Sequence, residues 1–276
     1  DLNKISVPRR REMRSVDGVE FDTWVYSPGR MVNGKFILQP QVRGVPVVIL
    51  FHGGPESQFR PRFMGRYNYL ISEERIALLC PNVRGSRGYG KRHLKADNGM
   101  GRALVMLDVQ RLRNAISADS YFDANRIAVM GGSYGGFMTL HSMVVLNNFV
   151  KCGVDVVGIS NFVTFLKNTS DYRRDLRRVE YGDERDPKMR KFLQELSPLT
   201  HVNEITRPLL IVQGANDPRV PASESEQMEK ALRKNGIETW YLLAKDEGHG
   251  FRKQSNREFQ FLTTIQFLRK HLLEQE

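Results

Sequence analysis

The stretch Gly131-Gly132-Ser133-Tyr134-Gly135-Gly136, directly after the apolar run Ile127-Ala128-Val129-Met130, constrains this chain more than any other segment. A strand that turns into a helix at a single serine needs small residues on both sides, because the turn is strained and the helix must pass close to the strand. Gly131, Gly135 and Gly136 meet that requirement. Beyond the turn, Phe137, Leu140 and Val144 share one helical face. The unbonded amides of that helix's first turn would point back at the serine, where developing negative charge is stabilised. The reading is a nucleophilic serine. An ordinary tight turn produces the same short string, so the assignment depends on partners elsewhere in the chain.

The fold that uses such an elbow, the α/β-hydrolase fold, orders its partners as serine, then aspartate or glutamate, then histidine. Asp217 is the acid candidate. It follows Pro208-Leu209-Leu210-Ile211-Val212-Gln213, which reads as a buried strand, and lies in Gly214-Ala215-Asn216-Asp217-Pro218, a loop at that strand's carboxyl end, where open α/β sheets bind ligands. Taken alone, Asp217 before Pro218 reads equally as a turn initiator. His249, in Glu247-Gly248-His249-Gly250-Phe251, is the base candidate, its flanking glycines letting a loop carry the imidazole over the sheet. Of the other five among the 6 histidines, His93, His141, His201 and His271 lack glycine flanks and read as surface or core residues. His52 opens His52-Gly53-Gly54-Pro55 after Val47-Val48-Ile49-Leu50-Phe51. Two glycines after an early strand let a backbone amide point into the site, so Gly54 and Tyr134 amides are read as an oxyanion hole and His52 as the group that holds the loop.

The coarse order of elements agrees. Asp17-Gly18 predicts a hairpin with a tight primed turn between Met13-Arg14-Ser15-Val16 and the run from Val19 to Tyr26. Strand-like runs follow at 47–51, 76–80, 126–130, 154–159, 208–213 and 238–243, with helical patterns near 62–74, 101–118, 134–146 and 221–234. The last helix carries Phe261, Leu262, Ile265, Leu268 and Leu272 as a core stripe. The expected fold is one α/β domain over 1–276, a mostly parallel central sheet with helices on both faces.

Five blocks in this order carry a family resemblance: Phe51-His52-Gly53-Gly54-Pro55, Asn82-Val83-Arg84-Gly85-Ser86-Arg87-Gly88-Tyr89-Gly90, the Ser133 elbow through Phe137, Gly214-Ala215-Asn216-Asp217-Pro218-Arg219-Val220-Pro221, and Glu247-Gly248-His249-Gly250-Phe251. From about Arg10 to its end the chain resembles the catalytic domain of the prolyl oligopeptidase family of serine peptidases, in its dipeptidyl aminopeptidase and acylaminoacyl-peptidase branch. The resemblance implies that Arg219 binds a backbone carbonyl of a substrate peptide. It also implies that Val220 and Tyr134 border the pocket for the residue on the amino side of the scissile bond, and that 162–181 helps line it. Family members usually place a β-propeller before this domain to limit access to short peptides. No such segment is present in these 276 residues, so the chain reads as an excised or a naturally bare catalytic domain.

Composition, 40% hydrophobic and 26% charged, is that of a globular protein. The net charge of +11 raises nucleic acid or anionic membranes as partners. Neither is expected, because basic residues are scattered and no nucleic-acid motif or bilayer-length apolar run is visible. The densest basic run, Tyr172-Arg173-Arg174-Asp175-Leu176-Arg177-Arg178-Val179-Glu180, reads as a solvated, salt-bridged helix face; a second reading has it overhang the cleft and attract carboxyl-bearing substrates. Cys80 and Cys152 read as buried free thiols, with a disulfide left open, and point to a reducing, cytoplasmic location, with a secreted or periplasmic one as the alternative. The chain begins Asp1-Leu2-Asn3-Lys4, without an apolar leader. No metal cluster or phosphate loop stands out, so no cofactor is expected, and self-association stays open.

The sequence therefore points to a serine hydrolase that cleaves short peptides or acyl-peptides through an acyl-enzyme: Ser133 attacks, His249 moves the proton, Asp217 orients His249. The alternative is a carboxylesterase using the same triad. A binding protein on a hydrolase fold is the reading from another class, disfavoured because serine, acid and histidine are all present.

Overall fold

The computed structural model describes residues 4–32, 35–38 and 43–275; the opening residues Asp1, Leu2 and Asn3 lie outside them. Among the described residues ten strands form, in chain order: β1 (Arg9–Arg14), β2 (Glu20–Tyr26), β3 (Gly29–Val32), β4 (Lys35–Leu38), β5 (Val45–Phe51), β6 (Ala77–Pro81), β7 (Phe122–Gly132), β8 (Cys152–Val156), β9 (Leu209–Gly214) and β10 (Thr239–Ala244). Eight of them make one sheet in the order β1-β2-β6-β5-β7-β8-β9-β10, parallel from β6 to β10, with β2 antiparallel to both its neighbours. β3 and β4 form a separate small hairpin that the sequence patterns did not reveal.

The helices are α1 (Asn68–Ser72), α2 (Lys91–Leu94), α3 (Val105–Ser117), α4 (Tyr134–Val145), α5 (Phe162–Asn168), α6 (Asp171–Tyr181), α7 (Pro187–Leu196), α8 (Ala222–Lys234) and α9 (Gln254–His271). Alternating side chains of β5 decide the layers. Val47, Ile49 and Phe51 join the cluster that holds Val109 and Leu112 of α3 and Leu140 of α4, whereas Val48 and Leu50 join the one holding Leu70 of α1 and Ile265 and Leu268 of α9. Each such fully buried aliphatic side chain contributes about 1.5–3 kcal/mol of transfer free energy. The sheet is thus covered on both faces, as the near-continuous apolar runs of its parallel strands require.

Four details depart from the sequence reading. Leu262, expected in the core stripe of the last helix, is 59% exposed. Asp17-Gly18 does turn a hairpin, but not in the tight two-residue form. Gly18 N–H donates to the Ser15 carbonyl at 2.9 Å, Ser15 N–H pairs with Val19, and Gly18 has φ +86, the geometry of a longer turn ending in a left-handed residue. Asp17 is claimed instead by Arg84, which grips it through both terminal nitrogens at 2.7 and 2.9 Å. The strand expected at 154–159 spans Cys152–Val156, because Val157 turns to φ +48 and leaves the sheet. The helix expected near 62–74 shrinks to α1 and a preceding 3-10 turn, Gly65–Tyr67. Cys80 and Cys152 are buried free thiols. Among the described residues no helix is long and apolar enough to cross a membrane.

Candidate active site

β7 ends at Gly132 and α4 begins at Tyr134, so Ser133 alone makes the turn, at φ +60 and ψ −119. That conformation is costly for a non-glycine residue and is held by its surroundings. Ser133 N–H donates to the Val156 carbonyl at 2.9 Å, and the Ser133 carbonyl accepts from Gly136 N–H at 2.9 Å and Phe137 N–H at 3.1 Å. The flanking glycines are forced by backbone proximity: a Cβ on Gly135 would lie 2.4 Å from the Phe51 carbonyl oxygen, and one on Gly131 2.3 Å from that of Gly135. α4 is buried from Tyr134 to Met143, which fixes its axis against the sheet.

Asp217 and His249 lie on neighbouring loops after β9 and β10. Ala215 N–H donates to the Ala244 carbonyl and Asn216 N–H to that of Glu247, each at 2.9 Å, and Asn216 Nδ2 adds a bond to the Lys245 carbonyl at 2.8 Å. The loops touch so closely that a Cβ on Gly214 would sit 2.3 Å from the Gly248 oxygen. The Asp217 carboxylate is fully buried; Oδ1 accepts from Arg219 N–H at 2.8 Å and Val220 N–H at 3.1 Å, leaving Oδ2 for His249 Nδ1 at 2.7 Å. Glu247 shapes the histidine loop by accepting from Arg252 N–H and Lys253 N–H, both at 2.9 Å.

The Gly54 loop is held from the Asn82–Gly90 segment, to which sequence patterns assign no role. His52 Nδ1 donates to the Gly53 carbonyl at 2.8 Å, and Nε2 lies 2.9 Å from Ser86 Oγ. Asn82 accepts from Phe59 N–H at 2.6 Å and donates to the Phe59 carbonyl at 2.9 Å; Arg87 N–H donates to the Ser57 carbonyl at 3.0 Å and its Nε to that of Glu56 at 2.9 Å. Arg84 underpins the segment by spanning Asp17 and the fully buried Asp108. Burial pushes the His52 pKa down to about 4, so its imidazole is neutral at neutral pH. It is a fixed strut of the loop.

Ser133, His249, Gly54, Arg219 and Val220 all line one cavity of about 140 Å³, completed by Ile159, Phe165, Arg173, Arg177 and Tyr181. The stretch 162–181 contributes to the wall as expected. The Tyr134 side chain does not: it is buried against Phe137 and Tyr181, with the Arg102 guanidinium 4.9 Å from its ring centre. Only its backbone remains available to the site. Tyr181, whose hydroxyl lies 3.5 Å from the Gly54 carbonyl, takes the position expected for Tyr134; its only sequence signal was its place at the end of the variable stretch. Among the described residues no group of His, Cys, Asp and Glu is placed to hold a metal ion.

Beneath the elbow lies a carboxyl that sequence patterns did not single out. Asp155 is fully buried at the end of β8, its Oδ1 wedged where a Cβ on Gly136 or Gly158 would come within 2.3 or 2.1 Å. Desolvation raises its pKa from 3.8 to about 8, with Glu224 adding to the rise. The folded chain therefore keeps a proton that the unfolded chain sheds, and stability falls as pH rises from about 4 to about 8. Asp155→Asn is expected to raise the melting temperature at pH 8 and to change it little at pH 4; melting curves across that range check it, and an equal effect at both ends would contradict the protonated carboxyl.

The sequence pattern of the prolyl oligopeptidase family matches residues 61–275. Dipeptidyl aminopeptidase BIII of Pseudoxanthomonas mexicana is 39% identical over 223 residues, 79% of this chain and 32% of that protein. The acylamino-acid-releasing enzyme of Homo sapiens is 25% identical over 275 residues, 98% of this chain and 36% of that protein. Among solved structures, the acylaminoacyl peptidase of Pyrococcus horikoshii superposes with a TM-score of 0.84 at 23% identity, over 97% of this chain and 42% of that one, a likeness of fold. The chain spans about a third of the length of the two curated relatives.

Proposed function

The chain belongs to the prolyl oligopeptidase family, and from that membership and the geometry above we propose that it is the catalytic part of a serine peptidase acting on short peptides or acyl-peptides. The observation that carries the reading is the hydrogen bond of 2.7 Å from His249 Nδ1 to an Asp217 carboxylate already fixed by two backbone amides, beside a serine held in a strained turn on the same cavity. With Nδ1 committed to Asp217, Nε2 is the ring nitrogen that His249 offers as a base toward Ser133 on the same cavity. Ser133 Oγ attacks the substrate carbonyl, Nε2 takes its proton, and the Gly54 and Tyr134 amides stabilise the oxyanion. The imidazolium then protonates the leaving amine, and water repeats the sequence on the acyl-enzyme.

Arg219 favours a peptide over a simple ester. Its side chain is exposed at the cavity, while its carbonyl is tied down by Thr169 Oγ1 at 2.7 Å, so the guanidinium is presented on a fixed backbone. Arg219→Ala is expected to lower kcat/KM for a peptide anilide by about 10- to 100-fold, the worth of one charged hydrogen bond, and to affect p-nitrophenyl acetate hydrolysis far less. Equal losses would favour a carboxylesterase. The panel that tests the reading contains free-amine dipeptidyl, acyl-aminoacyl and aminoacyl anilides beside that ester. Serine-dependent anilide cleavage supports a peptidase, and cleavage of the ester alone contradicts it. A propeller that limits access, as the resemblance implies, is part of the proposal for the full-length protein.

A further inference from the structure

Three arginines, Arg173, Arg177 and Arg219, line the cavity at Ser133, and among the described residues no carboxylate does. Arg173 and Arg177 stand one turn apart on α6, so they present the same face. Apart from Glu180, the acids on and just after this helix pair with other arginines: Asp171 with Arg174 at 2.7 Å, Asp175 with Arg178 at 3.0 Å, Asp183 with Arg185 at 2.6 Å, and Glu184 with Arg178 at 2.5 Å. Among the described residues Arg173 and Arg219 make no salt bridge, and the buried Nε of Arg177 has no hydrogen-bond partner. Arg177 does pair with Glu180, but burial pushes that carboxyl up to about 7, so near neutral pH it offers only part of a counter-charge. Beyond Gly54, Ser133 and His249, the remaining wall is Ile159, Phe165, Val220 and the Tyr181 ring. At about 140 Å³ the space is well below the roughly 300–1,000 Å³ of a pocket for a drug-sized molecule, and suits a single side chain.

We propose that this cavity receives an acidic side chain, so that the enzyme selects glutamate or aspartate on the amino side of the scissile bond, with Arg173 and Arg177 reading the carboxylate. The inference rests on the peptidase reading above. A glutamate fits the lining in sequence: its methylenes lie against Phe165 and Val220, and its carboxylate meets guanidinium groups whose planar forks match it. Glutamine has the same shape without the charge, and lysine is repelled.

The test is kcat/KM for matched acyl groups ending in Glu, Gln or Lys, each offered as a 4-nitroanilide and as a p-nitrophenyl ester. The glutamyl substrate is expected to exceed the glutaminyl one by about 10- to 100-fold, with the lysyl substrate slowest. In the Arg173→Gln/Arg177→Gln double variant the Glu-to-Gln ratio is expected to fall to near one. Partial unfolding lowers both rates and leaves that ratio intact, so loss of fold cannot imitate the result. Equal Glu and Gln rates in the unsubstituted chain, or an unchanged ratio in the double variant, would overturn the proposal. A preference for a free over an amidated carboxyl terminus in the leaving peptide, with no Glu preference, would also overturn it, placing the carboxylate on the other side of the bond. Glutamyl selectivity on esters without anilide cleavage would sink the peptidase reading and keep the acidic preference; no turnover of either series overturns both.

Discussion

Ser133→Ala is expected to lower turnover of a peptide anilide by about 10⁴- to 10⁶-fold, the range seen when a triad nucleophile is removed and only the oxyanion hole and binding remain. The fold should persist, because the φ of +60 at this position is imposed by neighbours that the substitution leaves in place: the Val156 carbonyl, and Gly131 and Gly135 at contact distance. Ser133→Gly goes further, since glycine adopts positive φ without strain. It should be equally inactive yet more stable by about 1 kcal/mol. Anilide assays and melting curves on the two variants check both halves. Retained activity in either variant would remove Ser133 from the chemistry, and a large loss of stability in Ser133→Ala would mean that the hydroxyl holds the elbow.

The second large effect is one of stability. Arg102 and Asp97 form an ion pair with both side chains fully buried, the Arg102 guanidinium lying 4.9 Å from the Tyr134 ring centre and 4.7 Å from that of Tyr181, and donating to the Glu180 carbonyl at 3.2 Å. Arg102→Met would leave Asp97, whose pKa burial already raises, without its counter-charge. Breaking such a pair costs about 3–5 kcal/mol, a fall in melting temperature of roughly 6–20 °C for a chain of this size. Replacing Asp97 by Leu in the same chain should recover much of the loss, because the cost comes from the orphaned charge more than from the missing attraction. The pair also braces the two tyrosines, one following Ser133 and one lining the cavity, so Arg102→Met should raise KM for peptide anilides where protein remains folded. A single variant as stable as the parent would show that the pair contributes nothing.

Glycine spacing and apolar runs made much of this architecture legible. Ser133, Asp217 and His249 stand on loops announced by short strands and flanking glycines; the structure joins Asp217 to His249 and sets His249 and Ser133 on one cavity, with those glycines placed where backbones touch: Gly135 against Phe51, Gly214 against Gly248. Less legible was what depends on contacts between segments far apart in the chain. Asp17 looked like a turn residue and proves to be a ligand of Arg84, 67 residues on. Asp155 carries no local pattern; its burial follows from the meeting of β8 with α4. The family resemblance puts Tyr134 at the pocket, yet a buried helix start turns its ring inward and leaves that wall to Tyr181. The basic run on α6 was read first as a solvated face, and its i,i+3 pairs agree; one of its stripes also faces the cavity, which helical periodicity alone does not distinguish.

The measurement that bears most directly on the central claim is the intact mass of the protein after mixing with a slowly deacylating p-nitrophenyl ester, followed by peptide mapping. One acyl group per chain, on the peptide that contains Ser133 and absent from Ser133→Ala, is the predicted result. Hydrolysis that proceeds without any adduct, or an adduct on another residue, would contradict a covalent serine mechanism at this site.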